Sequence, residues 1–296
     1  PLATVITPNM PETQALCDLA VTQGADYAFT LYRTEEAADL TWQKGAVWCF
    51  EKSGRTQAVD TSKAETMMNA LSGLSWNTCV NAHASADDLD VYGLTDEEAL
   101  HAALTYVDGN GDVQTLSLLV GMDAASGAYA RLDGSTQVYT ISTDTADVLR
   151  YATYAGLRTD EVLPLDMDTV SGFAVAISGE TTEIAVTETI ATADESEEDS
   201  AAEPTVTKTY TADGATLDSE KVQKLLSALT ALKQSGATVN PDPDRPMLSL
   251  TFHREGGDVS LTLYAFDTES VLADVNGEIG LLVEREDAEN VVDLAL

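Results

Sequence analysis

Three histidines, His83, His101 and His253, are the side chains best suited to proton transfer or metal binding in this 296-residue chain. No two of them stand four apart with a Glu beside them, so the helical zinc-hydrolase pattern is absent. His101 and His253 fall at the ends of predicted strands, where a surface or capped histidine is expected rather than a ligand. A Ser-His-Asp triad is recognised only in space, and no Gly-x-Ser-x-Gly elbow points to a nucleophile. Asp108, Asn110 and Asp112 open like a calcium loop. The positions that should hold Gly and a bidentate Glu hold Val113 and Leu119, so a hairpin turn is expected instead. Neither a P-loop nor a Gly-x-Gly-x-x-Gly turn follows a strand. The sequence therefore assigns no catalytic residue, no cofactor and no metal site, and the chain is read as a non-enzyme.

Cys17, Cys49 and Cys79 lack the close spacing of a zinc or redox pair. Unpaired, mostly buried thiols are expected, with one disulfide as the alternative. Trp48 and Trp76 flank a predicted helix and are expected to lie under it, while Trp42, beside a turn, is a candidate for facing a partner.

Composition narrows the partners. Lys plus Arg number 15 against 50 Asp plus Glu, a net charge of −35. Nothing in such a chain neutralises a phosphate backbone, which excludes a general nucleic-acid binder and disfavours docking on an anionic membrane face. With so many acids, paired carboxylates alone say nothing about acid–base chemistry. A hydrophobic share of 44% is enough for a real core. No window reaches the roughly 18 apolar residues of a membrane span. The chain opens on Pro1, which we read as the trace of a longer product whose upstream anchor would not be seen.

The elements that must carry any site are written twice. Asp60 to Leu74 (DTSKAETMMNALSGL) aligns without a gap on Asp218 to Leu232 (DSEKVQKLLSALTAL), an offset of 218 − 60 = 158. Ala64, Met67, Met68, Leu71 and Leu74 in one, and Val222, Leu225, Leu226, Leu229 and Leu232 in the other, form a stripe at helical spacing. Ser62 with Glu65 fits a capping box in the first, and Asp218 or Ser219 caps the second. Downstream, Tyr129 to Gly134 matches Leu272 to Gly277, each a strand entering a tight Asp-Gly or Asn-Gly turn. The returning strands are Val138 to Ser142 and Gly280 to Glu284, followed by helices at Asp144 to Ala152 and Glu286 to Leu294. The shorter offset of these hairpins places an insertion between Ser75 and Leu100 of the first copy. Upstream, Tyr27 to Leu31 is set against Phe173 to Ile177, and Val47 to Glu51 against Val206 to Tyr210.

Short turns at Asp108 to Asp112 and Gly256-Gly257 demand antiparallel neighbours. The expected fold is α+β: two tandem repeats, each a mainly antiparallel sheet with helices packed on one face. Their expected extents are residues 1–163 and 164–296. Thr187 to Thr205, rich in Asp and Glu and without Lys or Arg, reads as an acidic loop within the second repeat, solvated rather than calcium-binding.

Three stretches in order, Asp88-Leu-Asp-Val-Tyr-Gly-Leu94, Leu118-Leu-Val-Gly121 and Tyr129 to Gly134 with Val138 to Ile141, resemble the bacterial family of domain of unknown function 4340. The resemblance covers Tyr27 to Leu165, with the remainder as a diverged second copy. It implies a cell-envelope protein tethered by an N-terminal membrane segment or a lipoprotein signal, in some cases alongside an ABC-type transporter. The expected function is a non-catalytic extracytoplasmic binding or scaffold module with a protein partner. An extracytoplasmic hydrolase and a calcium-dependent adhesion or binding protein are the competing readings.

Overall fold

The computed structural model of the protein describes residues 7–25, 27–191, 205–238, 241–243 and 245–295. The chain divides into two compact units, Pro1–Arg158 and Thr159–Leu296. In the first unit the strands are β1 (Leu16–Gln23), β2 (Tyr27–Arg33), β3 (Trp48–Lys52), β4 (Arg55–Ala58), β5 (Thr78–Asn81), β6 (Leu100–Val107), β7 (Val113–Asp123), β8 (Ala128–Leu132) and β9 (Val138–Ile141). Its helices are α1 (Ala37–Thr41), α2 (Thr61–Ser72), α3 (Ala86–Val91), α4 (Thr143–Arg150) and α5 (Tyr154–Leu157). The second unit holds β10 (Val170–Ile177), β11 (Glu180–Ala191), β12 (Thr205–Ala212), β13 (Ala215–Thr216), β14 (Gln234–Ala237), β15 (Pro246–Arg254), β16 (Val259–Ala265), β17 (Ser270–Val275) and β18 (Glu278–Glu284). Its helices are α6 (Ser219–Ala231) and α7 (Arg285–Ala295).

Each unit is one antiparallel sheet. The first runs β4-β3-β2-β1-β6-β7-β8-β9-β5 and the second β13-β12-β11-β10-β15-β16-β17-β18-β14. Adding nine to every strand number of the first order gives the second. The α+β class with two repeat-like antiparallel sheets is therefore what the chain adopts.

The likeness extends to single residues. A bulge interrupts β1 against β6 between Leu16 and Asp18, and another interrupts β10 against β15 between Val170 and Gly172. The extra residue of each bulge turns its side chain onto the facing strand. Cys17 Sγ donates to the Thr105 carbonyl at 3.4 Å, and Ser171 Oγ to the His253 carbonyl at 3.1 Å. The β3–β4 and β12–β13 hairpins both turn through a left-handed pair, Ser53-Gly54 and Asp213-Gly214. That backbone matches the twist of the strands it joins.

Helical spacing delivers the predicted stripe. Met67, Met68 and Leu71 on α2 lie buried against Leu19, Phe29, Phe50 and Leu104 of the sheet, with Leu149 of α4 and Leu157 of α5 in the same core. On α6, Val222, Leu225 and Leu229 are buried, while Leu226 is half-buried. Strand alternation sends Cys49 and Leu119 to the opposite face, into two smaller clusters beneath α1 and α3. Trp48 is buried in the main core and Trp76 is packed against it, whereas half-buried Trp42 ends α1 in a left-handed conformation. The three cysteines are unpaired.

Four details differ from the sequence reading. The α2 cap is Asp60, not Ser62: Asp60 is extended and its carboxylate accepts from the Lys63 amide at 2.9 Å, so Ser62 already lies in the first turn. Asp218 caps α6 through the Glu220 amide. Four strands precede the long helix of each unit rather than two, and β10 takes the place of β1, so Tyr27 to Leu31 in β2 is not the counterpart of Phe173 to Ile177. Neighbouring strands share the same period of two, and period alone cannot tell one from the next. Lastly, residues 187–191 are the end of β11 rather than loop. Thr187, Glu188 and Thr189 pair with Thr209, Lys208 and Thr207, and Glu188 meets Lys208 at 3.2 Å. Residues 192–204 of the expected acidic loop lie outside the described residues. The expected insertion is α3 and its flanking turns, between β5 and β6.

Candidate functional site

The end of α4 in the first unit is held from below. Tyr27 rises from β2 and its hydroxyl donates to the carbonyls of Leu149, at 2.7 Å, and Ala152, at 3.4 Å. These two bonds bracket Arg150 and Tyr151 and fix the corner they occupy. Arg150 turns inward, donating to the Gly121 carbonyl and pairing with Asp123 at 2.6 Å. Tyr151 turns outward and is 71% exposed.

Two depressions meet at Tyr151. One, about 460 Å³, runs between α2 and the α4–α5 corner, with Met67, Ala70, Val148, Ala152 and Leu157 as its floor. Lys63 and Asp147 stand at its rim, and the Lys63 ammonium is tied to the Arg158 carbonyl at 2.9 Å. The other, about 680 Å³, is lined by Asp90, Glu98, Met122, Asp123 and Arg150 together with Tyr151. Both volumes fall in the range of small-ligand and peptide clefts.

The wall of the second depression exists because α3 presses onto β7. A Cβ at Gly121 would sit 2.2 Å from the Tyr92 carbonyl oxygen, and one at Gly93 2.7 Å from Met122. Gly93 also needs its left-handed φ of 63°. The Met122 amide donates to the Tyr92 carbonyl at 2.9 Å across this seam. Two of the stretches that carried the family resemblance, Asp88 to Leu94 and Leu118 to Gly121, thus meet at one place. Close by, buried Arg131 of β8 holds the loop after α3 by donating to the Leu94 carbonyl from both Nε and Nη2. In the second unit a third depression, about 580 Å³, lies beside α7 and carries Glu269, Glu286, Glu289 and Asp293.

The residues first considered for chemistry stand apart from these depressions. Among the described residues no three of His, Cys, Asp and Glu group to hold a metal ion. The Asp108 carboxylate is taken up by its own hairpin, accepting from the amides of Asn110 and Asp112 and from Gln114. Those donors hold its carboxyl below the usual range. Ser85 does the same for Asp88 at the start of α3. His83 is exposed, and the half-buried His101 ring meets the Asp96 carbonyl at 3.0 Å. No described helix is long and apolar enough to cross a membrane.

His253 has the most charged surroundings. Its ring reaches across β10 to Glu183 at 3.4 Å, and meets Asp258 at 3.1 Å. The hydrogen bond to Asp258, then that to Glu183, outweigh burial and raise the ring's pKa above its ordinary 6.5. A raised folded-state pKa contributes stability in full below the unfolded value and loses it as pH climbs through the folded one. His253→Gln should therefore lower the melting midpoint at about pH 5 and leave it nearly unchanged at about pH 8.5. Midpoints of both proteins across that interval test this, and an equal gap at both ends defeats it.

The Arg150–Tyr151 corner and the acidic wall went unnoticed in the sequence. The available signal was an Arg-Tyr pair closing an amphipathic helix, together with a glycine in each of the two family-like stretches.

A family model described as "Domain of unknown function (DUF4340)" matches residues 48–248. Neither a curated protein nor a solved structure matches the chain.

Proposed function

The chain belongs to the DUF4340 family, and from that premise we propose that it is a non-catalytic, membrane-tethered extracytoplasmic module that binds a protein partner of the cell envelope, in the setting of an ABC-type transporter. The observation that carries the binding role is the pair of open depressions around Tyr151, an apolar floor beside a charged wall. Clefts with an apolar floor and a few charged groups at their edge are where recognition commonly resides. The matching strand orders support descent of both units from one duplicated block, in which the α3 insertion equips only the first with this wall.

Cell fractionation and crosslinking of the full-length product test the reading. It should sediment with membranes, be cleaved by protease added outside spheroplasts, and crosslink to a transporter subunit. A protease-protected cytoplasmic protein overturns it. The calcium-dependent alternative is disfavoured at Asp108, whose oxygens already accept amide donors. Millimolar calcium should leave the melting midpoint unchanged. A native-state site would raise it by mass action, and such a rise moves the assignment to a calcium-dependent binder.

A further inference from the structure

We propose that the occupant of the paired depressions is a cationic, amphipathic segment of a partner protein, with an apolar side chain on the α2–α4 floor and Lys or Arg residues against the acidic wall. The proposal rests on the binding-module reading and gives that module its ligand chemistry. Four observations carry it. The floor is apolar, with Met67, Val148 and Leu157 along it. The guanidinium of Arg150, the one cation lining the wall among the described residues, is spent on Asp123 and the Gly121 carbonyl. Exposed Asp90 and Glu98 then set the sign of that wall. Finally, Tyr151 joins the two depressions at 71% exposure and Met122 stands 52% exposed in the wall. A tyrosine face offers a cation–π contact to an incoming Arg or Lys, and exposed Met and Tyr gain most when a partner covers them.

General acidity is the competing explanation, because a chain of net charge −35 attracts any basic peptide. The second unit supplies the control, since its depression beside α7 carries Glu286 and Asp293 but has no counterpart of the wall built by α3.

The probe is a fluorescein-labelled decapeptide of leucines and arginines, titrated by anisotropy into the full chain. Its controls replace the leucines with serines or the arginines with glutamates. Asp90→Lys with Glu98→Lys, and separately Tyr151→Ala, should each weaken binding about tenfold, roughly 1.4 kcal/mol. The serine peptide should lose as much, and Glu286→Lys with Asp293→Lys should change binding less than about twofold. All these positions are exposed, so melting curves should match the parent. Equal weakening by the two charge reversals, or no peptide binding, overturns the proposal. Binding of dodecyltrimethylammonium without the peptide overturns it too, in favour of a lipid-like amphiphile. An envelope location found beside a failed titration would sink only this occupant, and a cytoplasmic location beside a successful one would sink only the envelope assignment.

Discussion

Gly127→Ala should cost about 4 kcal/mol or more and lower the melting midpoint by about 10 °C, one of the largest effects available to a single methyl group. Gly127 ends the β7–β8 turn, where its carbonyl accepts from the Ala124 amide at 2.8 Å. Its φ is 97°, a region that L side chains rarely adopt. A Cβ built there would stand 1.8 Å from the Ile141 carbonyl oxygen, and that atom is backbone in the strand leading into α4. Relief would require β8 to move from β9, or the Ser142 cap of α4 to shift. Gly134→Ala is the matched comparison. Its φ of 73° is also left-handed, but nothing lies within 4 Å of its Cβ direction. It should cost only the backbone penalty, roughly 1 kcal/mol. Urea unfolding of both variants separates conformational strain from collision. Equal costs would mean that the turn yields and that the contact with Ile141 exerts no constraint.

This glycine also marks where the sequence stops being informative. Ala124 to Gly127 announces a turn by composition, but nothing local says that its last residue touches a strand fourteen positions onward. The same holds at Gly93 and Gly121, which the sequence shows as ordinary strand-end and turn glycines. Only the fold makes them the seam against which α3 closes. Long-range steric demands leave no periodic trace. Periodic ones do: the stripe of α2 and α6, the Asp-Gly and Asn-Gly hairpins and the terminal helices were all readable, because burial on one face forces a residue type at fixed spacing. Strand β1 was missed for the opposite reason. Leu16–Gln23 alternates weakly, with Cys17 bulged out between Leu16 and Asp18, and the bulge resets the alternation on which the reading depends.

The candidate site was legible only in part. Its apolar floor follows from the helical stripe, since Met67 is both a core residue and a wall of the depression. Its acidic side depends on three separate chain segments, at Asp90, Glu98 and Asp123, meeting beside α4. In a chain with 50 acids no three carboxylates stand out beforehand. The scarce cation was the better signal: Arg150 is one of 15 basic residues, and its placement at the foot of α4 organises the wall.

Leu71→Ala and Leu229→Ala should each cost about 3 kcal/mol, because both side chains are fully buried on the stripe of the long helix in their unit. The two leucines align in the paired helices, and each helix runs from the fourth strand of its unit to the fifth. Their neighbours one turn earlier should diverge. Met68 is fully buried, whereas its counterpart Leu226 is half-buried. Met68→Ala should therefore approach the cost of Leu71→Ala, and Leu226→Ala should cost about 1 kcal/mol. Midpoints of urea unfolding at constant slope measure all four. Near-equal losses at Leu71 and Leu229 beside unequal losses at Met68 and Leu226 are what one ancestral packing plan with separate later histories requires. A loss below about 1 kcal/mol at Leu229 beside a full loss at Leu71 would show that the helices do not share that plan, and the duplication would lose its energetic support.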